Sequence, residues 1–173
     1  MGQEPGTLGA APRARGTAAR GCAWPVLHAG ALEVWPRAPV SDEVLLRAFL
    51  DDEPFLISGP PRWNPLGLGS TAMFASTLVY NTRRTGDFTL AGHPFVLRRV
   101  YFPKDPSLEW FVVDLLKHHD MAGVALSELR TNLVATLRLG RWNVATLREM
   151  AATYGTKSIA ALIEDCIVEA RAT

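Results

Sequence analysis

The sequence predicts an α+β fold, a small mixed or antiparallel sheet followed by a helical C-terminal half, and three observations carry that expectation. Apolar residues come in short strand-like runs between Phe55 and Tyr101, then repeat at helical spacing after Asp105. Turn chemistry separates the short runs: Gly59-Pro60-Pro61, the basic stretch from Thr82 to Asp87, and Gly92. With 48% of its 173 residues apolar, the chain can bury one good core, and two small units are the upper limit.

Taken in order, residues 1–36 stand apart from the rest. Residues 1–23 are mostly Gly, Ala, Arg and Pro, with Glu4 as the only acid. They lack the apolar core of about 7–15 residues that a secretory signal needs, although an Arg-rich, acid-poor start also fits an organelle transit peptide. Such a composition buries too little apolar surface to offset its ordering entropy, so we expect a disordered or degenerate segment. Within it, Leu32, Val34 and Trp35 alternate around Glu33 and predict one short strand stopped by Pro36. The folded domain is expected to span 37–173.

Ser41 followed by Asp42 and Glu43 predicts a helix start, with Val44, Leu45, Ala48 and Phe49 at helical spacing behind it. Phe55 to Ser58 reads as a buried strand. Gly67 and Gly69 lead into Ser70 and Thr71, two hydroxyl residues suited to capping a helix, and a strand then closes on Tyr80 and Asn81. Further strands are expected over 87–90 and 94–101, which would make residues 77–101 an antiparallel meander with a basic tip. Asp105-Pro106 is the expected cap and first position of a helix carrying Leu108, Phe111, Val112, Leu115 and Leu116. Three more helices follow, the first ending at Gly140, the second running from Asn143 to Gly155, and the third starting at Thr156.

The charge balance, 18 Lys and Arg against 17 Asp and Glu, excludes a strongly basic nucleic-acid binder; any such role needs a local patch. Cys22 and Cys166 are too few for a disulfide framework and point to a reducing compartment. No apolar run reaches the roughly 18 residues of a membrane-spanning helix, so a cytoplasmic protein without membrane contact is expected.

Chemistry-bearing constellations are sparse. The glycine block could cradle a phosphate, but it lacks the lysine of a P-loop and the third glycine of a dinucleotide fingerprint. A nucleotidyltransferase would also need two close carboxylates for Mg²⁺, and only Asp87 is near. Its glycines are better read as a structural turn. Asp114 and His118 lie four apart, a spacing that suits two metal ligands, yet no third ligand accompanies them. Asp51, Asp52 and Glu53 read as a solvated turn before Pro54, and Trp63 and Trp110 as core. We therefore expect no catalytic residues, no metal, no cofactor and no enzymatic activity. Arg83 and Arg84 on one hairpin turn, with Arg98 and Arg99 on the neighbouring strand, form the best candidate contact surface for phosphates or an acidic protein. A charge-protected sheet edge explains the same residues equally well.

The run Asn64-Pro65-Leu66-Gly67-Leu68-Gly69-Ser70-Thr71, followed by Val79-Tyr80-Asn81 and a basic turn, resembles the C-terminal domain of AbiEi-like antitoxins of bacterial type IV toxin–antitoxin systems. The resemblance extends over Pro36 to Phe49, Phe55 to Ser58, Asn64 to Arg84 and Phe102 to Leu116. On its strength Asn64, Gly67, Leu68, Gly69, Thr71, Tyr80 and Asn81 are the family-motif positions. It implies an antitoxin that counters a cognate nucleotidyltransferase-like toxin, with a further role in transcriptional autoregulation. The family's N-terminal winged helix-turn-helix is missing or degenerate in this chain, which weakens any expectation of DNA binding. A stand-alone DNA-binding regulator and a nucleotide-binding enzyme are the alternative functions.

Overall fold

Helix α1 (Asp42–Phe49) starts at the expected place, with Ser41 in extended backbone ahead of the first-turn acids Asp42 and Glu43, although the Ser41 hydroxyl makes no capping bond. The computed structural model describes residues 40–172, so the 1–36 segment and its expected strand lie outside the described residues. The chain leaves α1 through Asp51 and Asp52, both in the left-handed region at φ 55° and 59°, a conformation that aspartate tolerates better than most residues.

Four strands follow: β1 (Phe55–Ser58), β2 (Thr77–Asn81), β3 (Gly86–Leu90) and β4 (His93–Arg99). Their spatial order is β1-β2-β4-β3, with β2 and β4 parallel and the other two pairs antiparallel. The expected antiparallel meander over 77–101 is therefore incorrect, and Arg83 and Arg84 sit on a crossover rather than a hairpin. The reason lies in the strands themselves. Phe95, Val96 and Leu97 make β4 the strand that gains most from two neighbours, whereas β3 alternates with exposed Asp87 and Thr89 and suits an edge. Thr82 to Thr85 can reach across one strand, since four extended residues cover about 13 Å and two inter-strand spacings need about 10 Å.

Between β1 and β2 the sequence reading also missed an element. Pro60–Trp63 forms a short helix, α2, with prolines in its first turn, and Asn64–Leu66 continues as a 3₁₀ turn. Gly67, at φ 70°, ends that turn. No helix follows Ser70 and Thr71, which lie in irregular chain leading to β2. The glycines end a helical segment instead of beginning one.

Strand alternation sorts the sheet into two faces. Val79, Phe95 and Leu97, joined by Ile57 and Phe88, pack against Leu46 of α1 and Leu50 just after it. Leu56, Leu78, Tyr80 and Val96 face the larger core formed by the C-terminal helices. Those helices are α3 (Leu108–Lys117), α4 (Leu126–Arg138), α5 (Val144–Tyr154) and α6 (Lys157–Arg171), with α3 on α5, α4 on α6 and α5 on α6.

Their starts are capped by side chains at three points. Ser107, rather than the expected Asp105-Pro106 pair, caps α3 by accepting from the Trp110 amide at 3.2 Å. Asn143 accepts from the Ala145 and Thr146 amides, and Thr156 from Ile159. Gly140 stops α4 at φ 65°. Gly155 stops α5 for a different reason: a Cβ there would lie 2.4 Å from the Ala151 carbonyl oxygen. Cys166 is fully buried in α6, and burial pushes its thiol up to about 11. The expected α+β class, with a helical C-terminal half, is the fold observed.

Candidate functional site

The motif positions fall at both ends of β2, Asn64 to Thr71 ahead of it and Tyr80 and Asn81 at its close, and most of them have a bonding or packing task. Asn64 staples its own loop: its amide donates to the Ala72 carbonyl at 2.9 Å and its carbonyl accepts from Ser70 Oγ at 2.9 Å. Leu68 is fully buried, and its carbonyl accepts from Asn132 of α4 at 3.1 Å. Gly67 and Gly69 let the backbone approach the helical layer. A Cβ on Gly67 would meet the Arg141 guanidinium at 2.9 Å, and one on Gly69 would meet Glu128 and Asn132 at 3.0 Å. Gly69 also has φ 99°, where a side chain is strained. The turn thus faces side chains of both signs, Arg141 at Gly67 and Glu128 at Gly69. Thr71 is exposed.

Asn81, at the end of β2, closes the crossover. It is fully buried, and its side-chain oxygen accepts from the backbone amides of Arg83 at 2.9 Å and Arg84 at 2.6 Å. Its amide donates to the Arg84 carbonyl at 2.9 Å, while its backbone carbonyl accepts from Val100. One side chain thus satisfies the polar groups of a turn that must pass over β4.

The four arginines do gather at this end of the sheet, since Tyr80 and Asn81 are paired with Arg98 and Arg99. They do not form one patch. Arg98 and Arg99 are consecutive in β4 and project to opposite faces. Arg83 bonds Asp51 at 3.1 Å, and the Arg84 guanidinium lies 4.6 Å from the centroid of Phe49. Two of the four are therefore engaged with the end of α1, where exposed pairs contribute little stability.

Sequence reasoning took Asp114 only for its spacing from His118 and passed over its polar surroundings. Asp114 of α3 is 3% exposed, yet it is surrounded by donors from β1, α2 and β2 and by His118, just past the end of its own helix. Oδ2 accepts from Ser58 Oγ at 2.6 Å and from Trp63 Nε1 at 2.9 Å. Oδ1 accepts from the Tyr80 hydroxyl at 2.9 Å and lies 3.2 Å from His118 Nδ1. His118 Nδ1 is also 2.9 Å from the Asp114 backbone carbonyl, and a carbonyl only accepts, so Nδ1 carries a proton. The motif residue Tyr80 thus reaches this centre directly. Burial and the adjacent carboxylate drive the Tyr80 hydroxyl far above its ordinary range, which keeps it a donor. For His118, burial lowers the pKa, but the bonds and charge of Asp114 outweigh it and the net shift is upward. The signal was present as an aspartate inside Trp110-Phe111-Val112-Val113-Asp114-Leu115-Leu116, a run otherwise committed to the core.

Chemically this cluster is closed. The hollow beside it, bounded by Tyr80, Tyr101, Trp110, Lys117, His118 and Tyr154, measures about 50 Å³, room for about one water. Among the described residues no group of three or more His, Cys, Asp or Glu side chains is placed to hold a metal ion, and no helix is long and apolar enough to cross a membrane. Trp63 and Trp110 are core residues, the first fully buried. Comparison of the chain with protein-family models, with curated proteins and with solved structures returned no match.

Proposed function

We propose that residues 37–173 act as the antitoxin domain of a type IV toxin–antitoxin system, a cytoplasmic protein that counters a nucleotidyltransferase-like toxin. The observation that carries this reading is the resemblance of the Asn64–Asn81 block, together with the coherence of what its residues do. Asn64 and Asn81 close the turns at the two ends of β2, and Leu68 and Tyr80 tie the same stretch of chain to the helices. A motif whose members depend on one another is the kind that a shared fold preserves as a set. In this reading the glycine block is architectural, and the protein has no nucleotide chemistry of its own.

The contact surface is the charged end of the sheet, where Arg83 and Arg84 leave Asn81 and Arg99 pairs beside it. The test is co-expression with the nucleotidyltransferase-like toxin encoded beside the gene, at matched protein levels. The intact chain should restore growth. The Arg83→Glu/Arg84→Glu variant should protect at least about tenfold less well by colony count, because charge reversal turns attraction into repulsion at the interface. Its stability should fall by less than about 1 kcal/mol per site. Full protection by that variant would remove this end of the sheet from the account, and no protection by the intact chain would reject the antitoxin reading. A DNA-binding regulator, the competing role, would instead show affinity for duplex DNA falling steeply with salt.

A further inference from the structure

Arg62, on α2, and Arg141, in the loop between α4 and α5, border a hollow of about 150 Å³ beside the 3₁₀ turn and the start of α3. Its floor is apolar and buried, formed by Leu66, Phe111 and Trp142, and Leu108, 63% exposed, stands at its mouth. Each guanidinium rests over an aromatic ring of that floor: Arg62 lies 5.7 Å from the centroid of Phe111, and Arg141 5.4 Å from that of Trp142. Arg141 is fixed further. Its Nη2 donates to the Pro65 carbonyl at 3.3 Å, and its Nη1 lies where only a glycine at position 67 leaves room.

What these two cations lack is an anion. Among the described residues neither forms an ion pair, and no Asp or Glu lines the hollow. Glu109 is engaged with the Asn143 amide at 3.0 Å, and Glu128 lies against Gly69. Arg62 also borders the groove beside β1, where Glu43, Asp52 and Glu53 stand without pairing with it. Contact with a ring engages the face of a guanidinium and leaves in-plane N–H groups for an oxyanion. Size limits the visitor: such a volume accepts one benzene-sized group and not a nucleotide.

We propose that this hollow binds a small amphipathic oxyanion, one carboxylate or phosphate joined to a single ring-sized apolar group. The apolar part sits on Phe111 and Trp142, and Arg62 and Arg141 hold the anionic head. The site is independent of the antitoxin reading, because Arg83, Arg84 and Arg99 do not line it.

The experiment titrates the ¹⁵N-labelled full chain with phenylacetate and with phenyl phosphate, which distinguish the two head groups. Benzyl alcohol and inorganic phosphate, which carry the ring or the anion alone, are the controls. The expected result is a saturable shift of the Trp142 indole N–H signal with at least one of the two-part ligands, while that of Trp63, bonded to Asp114, stays in place. Arg62→Met with Arg141→Met should weaken binding about tenfold or more, because charge-assisted bonds are lost. Leu108→Glu separates binding from folding, since an acid in the first turn of α3 suits the helix dipole. At this mouth it should repel the ligand and weaken binding about tenfold or more, whereas Leu108→Gln should change it less than about threefold. No saturable shift with either two-part ligand would overturn the proposal. So would binding of benzyl alcohol or inorganic phosphate as tight as theirs, or undiminished binding by Leu108→Glu.

Discussion

On one face of the sheet, α1 closes a core of apolar side chains alone: Leu46 and Leu50 over Val79, Phe95 and Leu97. Its polar ties, Asp42 to Thr77 at 3.0 Å and to His93 at 2.7 Å, lie at the rim. On the other face, four helices close a larger core with a carboxylate at its centre. The contrast separates two contributions to a fold. Apolar burial is proportional to area and indifferent to direction, so it holds α1 down without dictating its rotation. The bonds of Asp114 are directional, and they tie α3 to β1, α2 and β2 in one orientation. Such a group adds little net stability while it is complete, yet its removal strands several donors at once.

The largest effect should therefore come from Asp114→Ala. Ser58, Trp63 and Tyr80 would each lose an acceptor inside the core, and the loss should be about 3–5 kcal/mol by urea unfolding. A cost below about 1 kcal/mol would mean that water or a rearranged partner satisfies those donors, and the contrast between the faces would collapse. Leu46→Ala tests the other face. Truncating a fully buried leucine should cost about 2–4 kcal/mol, through lost transfer energy and the cavity left behind. The two variants should differ in kind as well as size. In hydrogen exchange, Leu46→Ala should loosen α1 selectively, whereas Asp114→Ala should speed exchange in β1, β2 and α3 together.

Much of this architecture was legible in the residues, and the exceptions have physical causes. Short apolar runs between turn residues located β1 and β2, and helix periodicity located the four C-terminal helices. Strand order was not legible, since the local pattern of β2, β3 and β4 is the same in a meander as with β4 inserted between the other two. What decides it is the competition for neighbours, which Phe95 and Leu97 win over the half-polar β3. The glycine block was misread in direction: Gly67 and Gly69 suit a helix end as well as a helix start, and Pro60 was the overlooked sign of a helix before them. Asp114 was noticed only for its spacing from His118. Its partners Ser58 and Trp63 lie more than fifty residues upstream, with |i−j| of 56 and 51, beyond any local pattern. Tyr80 and Asn81 lie at the end of a strand as expected, but their bonds, like those of Asn64, could only be seen in three dimensions.

The pH response sharpens the same contrast with a smaller effect. His118 has its pKa raised in the folded state by Asp114, against the opposing action of burial. A group of this kind stabilises the native state fully below its unfolded pKa, about 6.5, and that contribution is lost as pH rises through the higher folded value. Stability of the native protein relative to His118→Gln should accordingly shrink as pH is raised from about 6 to 8.5. Leu46→Ala should leave this pH dependence unaltered, because its face does not contact the imidazole. Asp114→Asn should flatten it, because the charge that raises His118 is gone. A pH dependence identical in the native protein and in His118→Gln would place the titration elsewhere.

The smallest expected effect lies in the turn that completes the α1 face, and it has the opposite sign. Ala91 and Gly92 join β3 to β4 as a two-residue loop, both with positive φ, 49° and 86°. That geometry belongs to the mirror-image turn whose twist matches the paired strands. Glycine enters it freely, but alanine pays about 1 kcal/mol for placing its Cβ near the following carbonyl. The strain persists because the hairpin positions Phe88, Leu90 and Phe95 for the α1 core. Ala91 itself is exposed and contributes no core packing that a replacement would forfeit. Asparagine visits the left-handed region more readily, and Asn-Gly is the preferred pair for this loop. Ala91→Asn should therefore raise unfolding stability by about 0.5–1 kcal/mol, seen as a higher urea midpoint with an unchanged slope. Ala91→Val, with a branched side chain in the same geometry, should lower it. If asparagine and valine shift the midpoint alike, the backbone at this turn is not the source of strain, and the α1 face would owe its register to side-chain packing alone.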